Sequence, residues 1–166
     1  PWQGLSMFFW LPISSSYNLG ELMVKATPLM LIALGLAVSF RSNVWNIGAE
    51  GQYVLGAIFG GGVALLAGEE TSSWVVVPIL LAGVVGGMAW AGLVAWLRDR
   101  FHANEILTSL MLVYVAVQLL GYLVYGPWKD PDGYNFPQTA MFAEPTMIPR
   151  LIEGARVHIG LPLGLL

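Results

Sequence analysis

The chain is 166 residues long, 57% hydrophobic and 10% charged, with a mean hydropathy of +0.70. A soluble domain carries about 25% charged residues, because something must face water, so the composition is that of an integral membrane protein. A net charge of −3 with no Lys/Arg cluster excludes a nucleic-acid binder, and the absence of cysteine excludes disulfides and thiolate metal sites.

The chain opens on Pro1, with no basic stretch and small-residue cleavage site of a secretory signal. It ends at Leu166 in a new apolar stretch, so it is expected to be an internal piece of a larger membrane protein. Runs without any charge extend over residues 51–68, 71–97 and 106–128. Each is close to or longer than the ~20 residues a helix needs to cross a ~30 Å hydrocarbon layer. The fold class expected is all-α, a polytopic transmembrane helix bundle.

The first predicted span covers about residues 21–40, with Pro28 in its early turns, where a lost N–H bond costs least if regular helix begins nearby. The second covers about 50–67, and its Gly56, Gly60 and Ala64 fall four apart, a row that lets a neighbouring backbone come close. The third covers about 74–97 and repeats that pattern with Gly83 and Gly87. The fourth covers about 104–125 and stops at Gly126-Pro127. A fifth is expected to start near Ile159.

Between the fourth span and that start lies a loop of about residues 126–157, rich in proline and holding the turn-like Asp130-Pro131-Asp132-Gly133. This density of Pro, Gly and Asp forbids a long regular helix. It reads either as a solvated connector or as a docking surface for an external partner.

Arg98 and Arg100 place the turn between the third and fourth spans in the cytoplasm by the positive-inside tendency. Alternation then puts the acidic Glu69-Glu70 loop and the 126–157 loop outside, and Arg41 inside. Trp74, Tyr122, Tyr125 and Trp128 would gather at the outer interface, with Trp96 and Phe101 at the inner one.

Polar residues in membrane spans are costly and usually face protein or a watery path. The densest group is Arg41-Ser42-Asn43-Val44-Trp45-Asn46-Ile47-Gly48-Ala49-Glu50-Gly51-Gln52. If helix runs through Asn46, then Asn46 and Glu50 share a face, while Gln52 lies opposite in line with Gly48, Gly56 and Gly60. Glu50 reads either as a structural anion, pairing with Arg41 or capping helix amides, or as a contact to substrate or a gate. Asn46 and Gln52 suit both interhelical bonding and recognition of a polar ligand.

The fourth span carries a second stripe of Asn104, Thr108, Met111, Gln118, Tyr122 and Tyr125, with Tyr114 beside it. Such a stripe either lines a route for a polar solute with a ring face or packs against sister helices. Glu105 is expected to be a solvated interfacial carboxylate, and His102 and His158 ordinary loop residues. The proposed spans hold no Asp, His or Cys, so no catalytic pair assembles within them. The chain holds no phosphate-binding loop of the form GxxxxGK[ST], so any ATP chemistry belongs to a partner. No catalytic, cofactor-binding or metal residue is assigned.

The stretch Asn46-Ile47-Gly48-Ala49-Glu50-Gly51-Gln52 resembles the signature of bacterial ABC-importer permeases of the branched-chain amino acid/ribose/simple sugar group. The stretch from Asn104 to Leu112, NEILTSLML, is similar to the second marker of its nucleoside and simple-sugar branch. The chain departs from that branch at Val113, where Asn often stands. The resemblance covers the chain from about Leu19 onward. It implies a permease paired with a second permease subunit in the bacterial inner membrane. A cytoplasmic ATPase would supply the power, and a periplasmic or lipid-anchored binding protein would deliver the solute. It also implies further helices and an ATPase-coupling segment beyond this chain. The rival readings are an ion-coupled secondary transporter, a membrane-embedded enzyme and a non-transporting scaffold. The substrate-path candidates are Asn46, Glu50, Gln52, Asn104, Thr108, Gln118 and Tyr122.

Overall fold

The computed structural model describes residues 2–134 and 136–148. The fifth span expected near Ile159, the loop from residue 149 onward and His158 lie outside them. Among the described residues five α-helices follow one another: α1 (Trp2–Trp10), α2 (Ser16–Arg41), α3 (Ala49–Leu66), α4 (Val76–Phe101) and α5 (Glu105–Tyr125). Four of them, α2 to α5, are long and apolar enough to cross a membrane, α4 together with the 3₁₀ turn Ser73–Val75 that leads into it. The all-α reading and the four spans stand, with boundaries moved by a few residues. The nine-residue α1 was not anticipated, and all its residues are exposed.

Two compact units divide the chain, Pro1–Val38 with Ile148–Leu166 and Ser39–Met147. In the first, Pro28 is not near a helix start. Helix begins twelve residues earlier at Ser16, which makes Pro28 an interior proline. Its ring removes the bond to the carbonyl four residues back. The adjacent Thr27 is 3% exposed and turns its hydroxyl onto the Met23 carbonyl at 2.9 Å.

In the second unit α3 is the central helix, packed on α4 along one side and α5 along another. Leu55 and Ile58 of α3 meet Ala116 of α5 in the core, with Trp90, Leu120, Leu123 and Trp128 closing around them. The α3–α4 seam is built on the small residues read from the sequence. A Cβ on Gly56 would lie 3.0 Å from the Gly83 carbonyl oxygen, and one on Gly83 would lie 3.3 Å from that of Gly56. Without a hydrophobic driving force between helices in lipid, this backbone-to-backbone fit supplies the packing. The outward surface is apolar: Leu66, Trp74, Leu81 and Met88 are all exposed. The chain is a multi-pass membrane protein.

The segment after α5 is folded back. Lys129 bridges Thr139, Ala140 N–H bonds the Trp128 carbonyl at 3.3 Å, and Asp130 accepts from the Gln138 amide at 2.9 Å. Trp128, expected at the outer interface, is half-buried. Its ring lies over Gly62, 3.3 Å from where a Cβ would stand, and joins the core. Past it, the 3₁₀ turn Glu144–Thr146 reaches the Ser73–Val75 turn and α4.

Candidate functional site

The polar residues of the second unit gather at the end that carries Arg98. There the helix of α2 stops at Arg41, and α3 starts only at Ala49 with Gly48 as its N-cap residue. Asn46 therefore precedes the helix, and the condition for its sharing a face with Glu50 is not met. Instead Asn46 bonds the residue expected on the opposite side: its Nδ2 donates to Gln52 Oε1 at 3.2 Å. Its Oδ1 accepts the Gly48 N–H at 3.0 Å, a short side-chain loop that holds the chain at the helix start. Gly48 itself is pressed on α5, where a Cβ would lie 2.8 Å from both the Cβ and the carbonyl oxygen of Ser109.

Glu50 is exposed in the first turn of α3, where a negative charge is favoured by the helix dipole. Among the described residues no ion pair joins it to Arg41, so that half of its structural reading is not realised.

Glu105 is not a solvated carboxylate. Its side chain is 15% exposed and pairs with Arg98, seven residues back across the α4–α5 turn. Its other oxygen, Oε1, accepts the backbone N–H of Trp45 at 3.0 Å. One carboxylate thus ties the chain before α3 to the end of α4. The turn that brings Arg98 and Glu105 together has His102 in the left-handed region, φ 52°, as the C-cap of α4. The sequence signal for this pair was the short spacing across that turn, with an anion on the first turn of one helix and a cation on the last turn of the other. Asn104 caps α5, its Oδ1 accepting from Ile106 N–H at 3.0 Å and Leu107 N–H at 3.2 Å, which commits that oxygen to the helix.

These groups surround a half-open cavity of about 350 Å³. The wall is Trp45 and Asn46 on one side, Gln52 of α3, Ala91, Ala95 and Arg98 of α4, and Glu105 of α5. Such a volume lies within the roughly 300–1,000 Å³ of small-molecule sites.

The stripe on α5 is arranged differently. The face of α5 that packs on α3 carries Ser109, Val113 and Ala116, all buried. Met111, Tyr114, Gln118, Tyr122 and Tyr125 are exposed, and Thr108 is half-buried. Among the described residues, packing against a sister helix does not account for this stripe, and neither Gln118 nor Tyr122 has a side-chain hydrogen bond. One buried donor was missed by sequence reasoning. The indole Nε1 of Trp90 is buried and has no partner among the described residues. Among the described residues no group of three or more His, Asp or Glu side chains is placed to hold a metal ion.

Residues 18–158 match the family described as branched-chain amino acid transport system / permease component. The chain belongs to this family. It is 41% identical, over 84% of its length and 36% of the relative's, to the glucose ABC transporter permease protein TsgB13 of Haloferax volcanii. It is 26% identical, over 90% of its length and 43% of the relative's, to the guanosine ABC transporter permease protein NupP of Bacillus subtilis. Against the nucleoside ABC transporter permease protein NupB of Lactococcus lactis the identity is 26%, over 78% of the chain and 35% of the relative. The chain thus spans less than half the length of these relatives. No solved structure matches it.

Proposed function

We propose that this chain is part of the membrane-spanning subunit of an ATP-binding-cassette importer for a nucleoside or simple-sugar-like solute. The observation that carries the reading is the family match over residues 18–158, together with relatives named for glucose, guanosine and nucleoside transport. The subunit itself is not an enzyme. A cytoplasmic ATPase hydrolyses ATP, a second permease subunit completes the pathway, and a periplasmic or lipid-anchored binding protein hands over the solute. The membrane is the inner, plasma membrane. Arg98 and Arg100 face the cytoplasm, as the positive-inside tendency favours.

Within the chain, the exposed face of α5 lines the route. Gln118 and Tyr122 offer exposed amide, hydroxyl and ring groups that have no side-chain hydrogen bond among the described residues, which suits a solute that has hydroxyls and a flat or apolar face. Thr108 continues that face toward the Arg98 end. Asn46 supports the route indirectly, because both its amide atoms bond the protein, and Gln52 and Asn104 do so through amide oxygens that are already engaged. Glu50 is exposed beside them and remains open to a passing solute.

Reconstitution of the full-length permease with its ATPase and binding protein tests this reading. ATP-dependent uptake of nucleosides or simple sugars, and not of branched-chain amino acids, is the expected result. Uptake that persists with an inactive ATPase and collapses with the ion gradient would identify a secondary transporter instead.

A further inference from the structure

The segment between α2 and α3, residues 42–48, joins two membrane helices without being helix itself. It leaves α2 through Asn43, a non-glycine residue at φ 54°. There the Asn43 N–H reaches the Phe40 carbonyl at 3.1 Å and the Val44 N–H the Ser39 carbonyl at 3.0 Å, so the helix is closed off and the chain turns away from its axis. Beyond Asn43, side chains tie the segment to its neighbours. Phe40 and Trp45 stack with ring centroids 5.5 Å apart, and Asn46 and Gln52 bond side chain to side chain. Gly48 lies against Ser109, which is 1% exposed beneath it. The Trp45 N–H reaches Glu105 Oε1. That last bond ends on a charge, and the same carboxylate is held from behind by Arg98. Trp45 and Asn46 of the strap and Arg98 all line the 350 Å³ cavity.

We infer that residues 42–48 are a gate on the solute route at the Arg98 end, and that Glu105 is its latch. The inference rests on the transport reading given above. Arg98 keeps the carboxylate in place whether or not Trp45 is bound, so the strap can leave and return to a fixed acceptor. Opening costs a short set of polar contacts, while the α3–α4 seam stays intact. When the strap lifts, Ser109 loses its cover and the cavity opens toward α5. Glu105 is therefore a positioning residue, acting on solute through the strap.

Ser109→Cys provides the probe, since the chain has no cysteine of its own and the exchange is close to isosteric. The full-length transporter, assembled with its partner subunits and cleared of other accessible cysteines, is treated with a small maleimide. Labelling should be slow at rest and rise during turnover with solute and ATP. Adding Glu105→Gln, which weakens the Arg98 pairing and the charged acceptor for Trp45, should raise the resting rate about tenfold. Gly48→Ala acts independently of charge, because its Cβ would collide with Ser109, and should raise the rate too. Glu69→Gln, in a loop remote from the strap, should leave it unchanged. Transport with a labelling rate indifferent to turnover, to Glu105→Gln and to Gly48→Ala would overturn the gate while leaving the transport reading standing. Absence of ATP-driven uptake in the unmutated complex would instead count against the transport reading, and the resting rates would still report on the latch.

Discussion

Gly56 and Gly83 face each other so closely that a Cβ on either would stand 3.0–3.3 Å from the other's carbonyl oxygen. The contact is backbone on backbone, so neither side can yield by turning a rotamer. Gly56→Leu or Gly83→Leu should therefore force α3 and α4 apart and destabilise the protein by about 1–3 kcal/mol, the usual range for overpacking. Thermal unfolding in detergent measures this. An unchanged midpoint for both variants would mean that the seam tolerates separation.

Asn104 offers a clean separation of cap from path. Asn104→Ala removes the acceptor for two orphan amides of α5 and should cost about 0.5–2 kcal/mol, while Asn104→Ser or Asn104→Asp should cost little. Solute preference among the surviving molecules should not change. A shift in a two-solute competition assay with Asn104→Ser, at full stability, would put Asn104 in the path after all.

Asn46 and Gln118 should respond in opposite ways to leucine. Asn46→Leu deletes bonds to Gln52 and to the Gly48 N–H, so stability should fall by roughly 0.5–1.5 kcal/mol per bond lost. Gln118→Leu deletes no bond within the described residues and should leave the unfolding temperature nearly unchanged, while uptake drops severalfold or its solute preference shifts. Competition ratios identical to those of the unmutated protein would reduce the α5 stripe to a surface for other helices.

The orientation is open to direct labelling. Cysteines at Ser72 and Asp132 should react with an impermeant reagent added from outside, and one at Asp99 should not. The reverse pattern would place the Arg98 end, and the strap with it, on the external side.

The folded segment after α5 should behave as a unit. Asp130 receives the Gln138 amide and the backbone of Asp132, so replacing residues 129–132 by Gly/Ser should loosen the whole return toward Trp128. Stimulation of ATP hydrolysis by the binding protein should fall while membrane insertion persists. Full stimulation would make this segment a connector.

What the sequence determined by itself was what depends on local composition. Three uncharged runs and one nearly uncharged run, all of membrane length, read as helices in lipid, since every backbone polar group must be satisfied within the segment. The glycine rows at 56/60 and 83/87 announced a close seam because small residues are all that a backbone approach requires. What the tertiary structure alone decided was the partner of each polar group. The helix start at Ala49 sent Asn46 to Gln52 and not to the face of Glu50. The left-handed turn at His102 brought Glu105 back onto Arg98 and under the Trp45 amide, so a residue read as solvated became a tie between three segments. Trp128 went to the core because Gly61 and Gly62 leave a bed for its ring. Periodicity assigns a residue to a face of its own helix. Which neighbour meets that face depends on where each helix begins and how each turn is wound, and these are set by contacts far apart in the chain.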